Sequence, residues 1–238
     1  MSKSITLSIP KELSGITLRQ YQKYIKAVSY DTDKEPTKEE IDFANLKLLE
    51  CFCEITLKEA YLLPLSEFSE IINHLGKLFT EETPLERTIE MTTPKGEVVK
   101  FGFIPKLDDI SLGEFVDLEK YIGDWQQMHK AMAVLYRPIT FEKGNLYLIE
   151  DYQGSDKYSD VMLDAPVNAA LGATVFFYHL GSELSTHMMD YLEKQVKEDS
   201  TFQQTLEQNG VGINQYMELL KGTSQSLKTS RTFPYFNA

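Results

Sequence analysis

Cysteine is scarce in this chain: 238 residues hold two, Cys51 and Cys53. Two positions apart on a helix, their side chains leave on different faces. No second cysteine pair or neighbouring histidine completes a zinc set, so the pair reads as reduced thiols in a cytosolic setting. Long apolar runs are missing too. The longest, "AALGATVFFYHL" from Ala169 to Leu180, falls short of the roughly 20 residues a membrane helix needs and reads as a buried helix. The start, "MSKSITLSIP", lacks the apolar core and small-residue cleavage site of a secretory leader, so none is expected. Cations are outnumbered: 24 Lys and Arg face 36 Asp and Glu, a net charge of -12. That balance argues against a nucleic-acid surface, which needs clustered cations. It suits a well-solvated acidic protein.

Catalytic signatures are also lacking. The phosphate-loop patterns GxxxxGK[ST] and GxGxxG do not occur, nor do GxSxG or HExxH. The histidines, His74, His129, His179 and His187, are scattered. His179 and His187 stand about two helical turns apart, but two ligands do not make a zinc site. No cofactor and no metal is expected.

What is present is a set of helix starts. Thr17 with Gln20, Thr37 with Glu40, Thr56 with Glu59 and Ser111 with Glu114 each form a capping-box pattern ahead of an apolar-periodic run. Pro64 then precedes "LSEFSEIINHLGKLF", a helix with Leu65, Phe68, Ile72, Leu75 and Phe79 on one side. Ser4 to Ile9 alternates like a short strand. "RTIEMTTPKGEVVKFGFIP" places two β-prone runs around the turn residues Pro94 and Gly96, a hairpin that Pro105 closes.

From Phe115 the apolar residues Leu118, Ile122, Trp125, His129, Met132 and Tyr136 recur every three or four positions. The spacing predicts one long seam helix ending near Tyr136 or Arg137, because Pro138 pushes its predecessor out of helical conformation. Phe115, Ile122, Trp125 and Met132 are then core, and Trp125→Ala should cost roughly 3–5 kcal/mol. His129, in the apolar row, reads as a hydrogen-bonded core residue. Arg137 reads either as a carboxylate or phosphate clamp or as a cation serving the last carbonyls of the seam helix; the second reading is preferred. Asp108 and Asp109 suit the dipole of the helix they precede.

Further on, "FEKGNLYLIEDYQGSDKYSD" reads as a turn, a short extended piece and a polar loop. Pro166, with Asp164 just upstream, opens a helix whose Ala169, Ala170, Gly172 and Ala173 would let another helix approach closely. "SELSTHMMDYLEKQVKED" and "INQYMELL" are read as further helices. The fold class is therefore α+β, predominantly α: a helical core around a central long amphipathic helix, with a small β-hairpin or sheet element. Residues 1–220 form a single mainly helical domain, with a division near Pro105 as the alternative.

Residues 221–238 stand apart. They carry Lys221, Lys228 and Arg231 and no Asp or Glu, so the preceding 220 residues hold -15 where the whole chain holds -12. Ser, Thr and Gly predict a flexible arm. It ends "RTFPYFNA", and Arg231, Phe233, Tyr235 and Phe236 are the expected partner-binding residues. The aromatics either fold back on their own body or reach a neighbouring subunit.

"FGFIPKLDDISLGEFVDLEKY", "HKAMAVLYRPI" and "ALGATVFFYHLGSEL", in that order, resemble a group of tailed-bacteriophage virion-morphogenesis proteins. That resemblance implies a tail, neck or baseplate assembly role, including tail-assembly chaperone-like proteins, and carries no catalytic motif. The expected function is a non-enzymatic assembly protein: a chaperone, or a structural virion subunit. Its partners would be other phage structural or tail proteins or further copies of itself, with no direct nucleic acid and no membrane. Its place would be the host cytoplasm during assembly, with retention in the virion as the alternative. Two rivals stand beside it. One is an enzyme with an acid–base site around His129 and the carboxylates from Asp108 to Asp124; the other is an acidic host-takeover inhibitor that mimics nucleic acid.

Overall fold

The structure, a computed structural model, describes residues 7–28, 36–93, 95–107, 110–177 and 179. The chain divides into two compact units, Met1–Ala173 and Thr174–Ala238. In the second unit the described residues, 174–177 and 179, are helical. The expected helices beyond Gly181, the aromatic arm, His187, Asp108 and Asp109 lie outside the described residues. So does Ser4 to Thr6 of the expected first strand; Leu7 to Ile9 are not in a strand.

The first unit is α+β and predominantly α. Its helices are α1 (Leu18–Ala27), α2 (Lys38–Phe52), α3 (Leu57–Ala60), α4 (Leu65–Thr80), α5 (Leu112–Tyr121), α6 (Met128–Leu135), α7 (Ser159–Met162) and α8 (167–173). Strands β1 (Thr88–Thr92), β2 (Val98–Phe103), β3 (Tyr136–Lys143) and β4 (Leu146–Ile149) form one antiparallel sheet in the order β1-β2-β3-β4. Four helices start as expected. In α1, α2, α3 and α5 the Ser or Thr side chain accepts from the backbone three residues on, and the Gln or Glu there accepts from the cap's own N–H. The β1–β2 hairpin also forms as expected, with Thr88 opposite Gly102 and Thr92 opposite Val98.

An aromatic cluster joins the helices. Tyr21 of α1 stacks on Phe79 of α4 at 5.9 Å, and Phe52 of α2 lies 5.2 Å from Tyr24 and 5.5 Å from Phe79. The buried face of α4 is Ile71, Leu75 and Leu78; Leu65 of the expected row is exposed at its N-terminus. A second cluster backs the sheet, with Phe103 edge-on to Tyr136 at 5.4 Å and Phe101 edge-on to Tyr158 at 5.3 Å. Gly102 between them has no room for a side chain, since an added Cβ would meet Tyr147 Cδ2 at 2.9 Å and Ile139 Cγ1 at 3.0 Å.

The single seam helix does not form. Helix α5 stops at Tyr121 and α6 starts at Met128. Gly123 and Asp124 break the run: the Asp124 carboxylate accepts from Gln126 N at 2.8 Å, and its carbonyl from Gln127 N at 2.8 Å. A turn of this kind is what Asp offers the backbone in place of helix. Of the expected seam core, Met132 is fully buried, Ile122 and Trp125 are half-buried, and Phe115 is exposed. Trp125 sits edge-on to Tyr21 at 5.0 Å. With part of its surface already in water, Trp125→Ala should cost about 2 kcal/mol, not the larger cost of a sealed core site. Urea melts would check this, and a loss above 4 kcal/mol would mean that the indole carries the aromatic cluster.

Pro138 does end the helix, but the chain passes straight into β3. Tyr136 is already extended, at φ -117 and ψ 122. Tyr136, Arg137 and Pro138 then pair with Phe103, Gly102 and Phe101 of β2. Residues on both sides of Pro105 thus share one sheet. Gly172, one of the small residues of α8, meets a different neighbour from the expected helix: a Cβ there would land on the Pro84 carbonyl oxygen and lie 3.3 Å from Thr83 O. It is a loop that approaches there.

Between α2 and α3, Glu54 takes φ 56, the left-handed region that glycine favours after a helix. Glu54→Gly should raise stability by about 0.5–1 kcal/mol through relief of this backbone cost. A loss instead would show that the exposed bond from Gln20 Nε2 to Glu54, 3.1 Å long, outweighs the strain.

Candidate functional site

Helix α5 buries acids beside apolar residues and leaves three apolar side chains outside. Its inward side carries Glu114, Asp117, Leu118 and Tyr121, at helical positions i, i+3, i+4 and i+7. Leu112, Phe115 and Val116, also one face by spacing, point to water with exposures of 78%, 52% and 51%. Glu119 continues that outer face and is exposed. Charge inside and apolar surface outside is the informative pattern, since buried Leu and solvated Glu are the ordinary one.

The inward charges are satisfied by residues from elsewhere in the chain. Glu114 accepts from the Ser111 backbone N–H with one carboxylate oxygen, at 2.7 Å, and takes the Arg137 guanidinium on the other. Both side chains of this ion pair are buried, at 7% and 8% exposure. Burial pushes the Glu114 carboxyl up, but its bonds to Ser111 and the Arg137 charge outweigh that and hold it below the usual range. Arg137 lies over the Tyr152 ring, 5.6 Å from its centroid, and its Nε is buried with no hydrogen-bond partner. The Tyr152 hydroxyl donates to Asp117, and burial followed by that carboxylate raises the phenol's pKa. Beside them Lys157 Nζ, 2.5 Å from Glu150, and the Tyr158 hydroxyl both donate to the Glu150 carboxylate. The Glu150 carboxyl is lowered by those two bonds.

Arg137 therefore clamps a carboxylate of its own chain from a strand; the preferred expectation, a cation at a helix C-terminus, is corrected. The pull of Pro138 toward extended backbone puts Arg137 into β3, and the pairing with Gly102 turns it beneath α5. This network fixes α5 by its polar side and leaves Leu112, Phe115 and Val116 facing outward. Sequence periodicity missed that face because it counted Phe115 as core. The missed signal is the second arc of the same helix, 112-115-116-119, which runs opposite 114-117-118-121.

His129 is hydrogen-bonded, as expected, but it is half-buried and not sealed in the core. Its Nδ1 faces the Gln22 amide at 3.2 Å, and the same amide nitrogen donates to Trp125 O at 2.8 Å. Burial, then Lys130, lowers its pKa, while Asp160 opposes them. The described contacts join Glu114 and Asp117 to Arg137 and Tyr152, and Asp124 to its own turn, so they do not gather around His129. Cys51 and Cys53 are buried free thiols, with Cys53 pushed up to about 11 by burial. Among the described residues no group of His, Cys, Asp and Glu is placed to hold a metal ion. No described helix is long and apolar enough to cross a membrane.

A surface hollow of about 720 Å³ lies beside α1 and α3, lined by Arg19, Lys23, Glu50, Glu54 and Lys58 among others. Most of its charges are paired: Arg19 with Asp164 at 2.8 Å, Lys23 with Glu50 at 3.7 Å, and Glu54 with Gln20. The expected partner-binding residues, Arg231, Phe233, Tyr235 and Phe236, lie outside the described residues. No protein-family profile, no curated protein and no solved structure matches the chain.

Proposed function

We propose that this chain acts without catalysis, through protein–protein contact, as an assembly protein of the tailed-phage kind that its middle segments resemble. It serves either as a chaperone for a tail or baseplate component or as a subunit kept in the virion, and it works in the host cytoplasm during assembly. The observation that carries this reading is the exposed apolar face of α5, Leu112, Phe115 and Val116, on a helix held from beneath by buried acids. Its buried side pairs Glu114 and Asp117 within the chain beside Leu118 and Tyr121, and its free side is an apolar face with Glu119 at one end. Interfaces are built from apolar residues held in place before the partner arrives, with a polar rim around them.

The test is genetic and direct. A phage carrying this gene with the coding region deleted should yield lysates in which complete particles are replaced by unjoined heads or tails under the electron microscope. Normal particles in normal number would sink the assembly reading. Mass spectrometry of purified wild-type virions then separates the two forms of the role, because a subunit stays and a chaperone leaves.

A further inference from the structure

We propose that Gln22 latches the elbow between α5 and α6 to α1, and that protonation of His129 opens the latch. This does not rest on the assembly reading. The elbow, residues 122–127, joins the two helices, and the Asp124 carboxylate closes a turn within it. Two bonds tie it to the helix behind. The Gln22 side-chain amide donates to Trp125 O at 2.8 Å, and the Gln22 backbone carbonyl accepts from Gln126 Nε2 at 3.1 Å. The same amide nitrogen lies 3.2 Å from His129 Nδ1. Gln22 is 7% exposed, so water does not readily replace a bond that it loses.

One end of this chain of bonds has no alternative. A backbone carbonyl only accepts, so the Gln22 atom beside Trp125 O is the amide nitrogen with its two hydrogens. One hydrogen goes to Trp125 O and the other to His129 Nδ1. Nδ1 is then a bare acceptor, and His129 is neutral with its proton on Nε2. A protonated His129 carries a hydrogen on Nδ1 that meets the hydrogens of the amide. Turning the amide over would give Nδ1–H an acceptor, but it would set the Gln22 oxygen against Trp125 O. No orientation of Gln22 serves both partners once the imidazole is charged. The surroundings favour the neutral ring. Burial, the largest influence, lowers its pKa; Lys130 of its own helix and Arg19 of α1 act in the same direction, and Asp160 of α7 opposes them. Both cations have partners, Lys130 with Asp156 at 3.6 Å and Arg19 with Asp164 at 2.8 Å. Because the folded value is depressed, the stabilisation by the latch is present above the ordinary histidine value of about 6.5 and is lost as pH falls through the lower folded value.

The chain's one tryptophan reads the latch directly, since Trp125 supplies the carbonyl and its indole sits edge-on to Tyr21, the neighbour of Gln22, at 5.0 Å. The experiment uses the full chain with nitrogen-15 in its histidines. Long-range proton–nitrogen NMR correlations of the rings are followed from about pH 8 to about pH 5.5, the range in which histidine charges, with Trp125 emission recorded at each step. His129→Gln identifies the His129 signals. At the upper end His129 should carry its proton on Nε2. Its midpoint should lie below the ordinary value, and Trp125 emission should step with the same midpoint. The step should vanish in His129→Gln, which cannot take the proton. Gln22→Met keeps the volume and removes the amide; it should raise the His129 midpoint and abolish the step. A proton on Nδ1 at the upper end, an imidazole neutral throughout, emission that stays flat while His129 titrates, or a step that persists in either variant overturns the latch. His129→Gln changes a half-buried side chain and keeps the test decisive if Gln22→Met does not fold.

Discussion

Glu114→Gln is expected to lower the free energy of unfolding by about 3–5 kcal/mol, the cost of removing one partner from a buried ion pair. The substitution separates two roles of one side chain. Gln at the third helical position still accepts from the Ser111 N–H, so the capping box of α5 survives. What disappears is the negative charge on Arg137, whose Nε already lacks a partner and whose side chain is 8% exposed. A second substitution, Arg137→Met, should then recover much of the loss, because it removes the stranded charge and fills similar volume. Urea melts of the two variants and the wild type measure both effects. A loss under 1 kcal/mol in the single variant would show that water reaches the guanidinium and that α5 is not anchored there.

The pH dependence follows from the same pair. The Glu114 carboxyl is depressed in the folded state. Its contribution is therefore present above the unfolded value of about 4.3 and is lost as pH falls through the lower folded value. The stability gap between wild type and Glu114→Gln should narrow below about pH 4. A gap that stays constant into acid would mean that the carboxylate does not titrate against Arg137.

Gly172→Ala should destabilise the protein by about 1–3 kcal/mol, as overpacking does. Helix propensity alone predicts the opposite sign, since Ala in a helix interior is favoured over Gly by about 1 kcal/mol. The structure decides because the new Cβ meets backbone and not a movable side chain: the Pro84 carbonyl carbon would be 3.0 Å away. Either α8 or the loop through Thr83 and Pro84 must shift. Gly123→Ala is the control, with nothing within 4 Å of its added Cβ, and should change stability by no more than about 0.5 kcal/mol. If thermal or urea melts place Gly172→Ala above the wild type, the loop yields freely and the close approach carries no constraint.

How far the sequence could be read depended on the range of the interaction. Capping boxes were legible because both partners lie within four residues, and Thr17, Thr37, Thr56 and Ser111 all form them. The β1–β2 hairpin was legible for the same reason. The seam helix was not, because apolar spacing continued across Gly123 and Asp124 while the Asp side chain offered the backbone a turn. Strand β3 was hidden behind its own proline: Arg137-Pro138 announces the end of a helix, but only pairing with β2, more than thirty residues earlier in the chain, makes the next residues a strand. The polarity of α5 was hidden in the same way. Whether Glu114 or Phe115 faces inward is decided by Arg137 and Tyr152, neither of which is visible from the helix itself.

The two ends of the first unit are sewn together. Leu18 N and Arg19 N donate to Ala165 O and Leu163 O, at 2.8 and 2.7 Å, and Val167 N donates to Ile16 O at 2.8 Å. During synthesis, α1 therefore has no backbone partner for its first turn until residue 167 has left the ribosome. The sheet, whose strands pair only with sequence neighbours, can form well before that closure. Thr174–Ala238 are at that point partly inside the ribosome and partly still to be made. At about 5–20 residues per second each further ten residues take roughly 0.5–2 s, so the first unit can begin to close while the end of the chain is still on the ribosome. Closure of the first unit therefore depends on residues 163–167 and not on the part of the chain made after them.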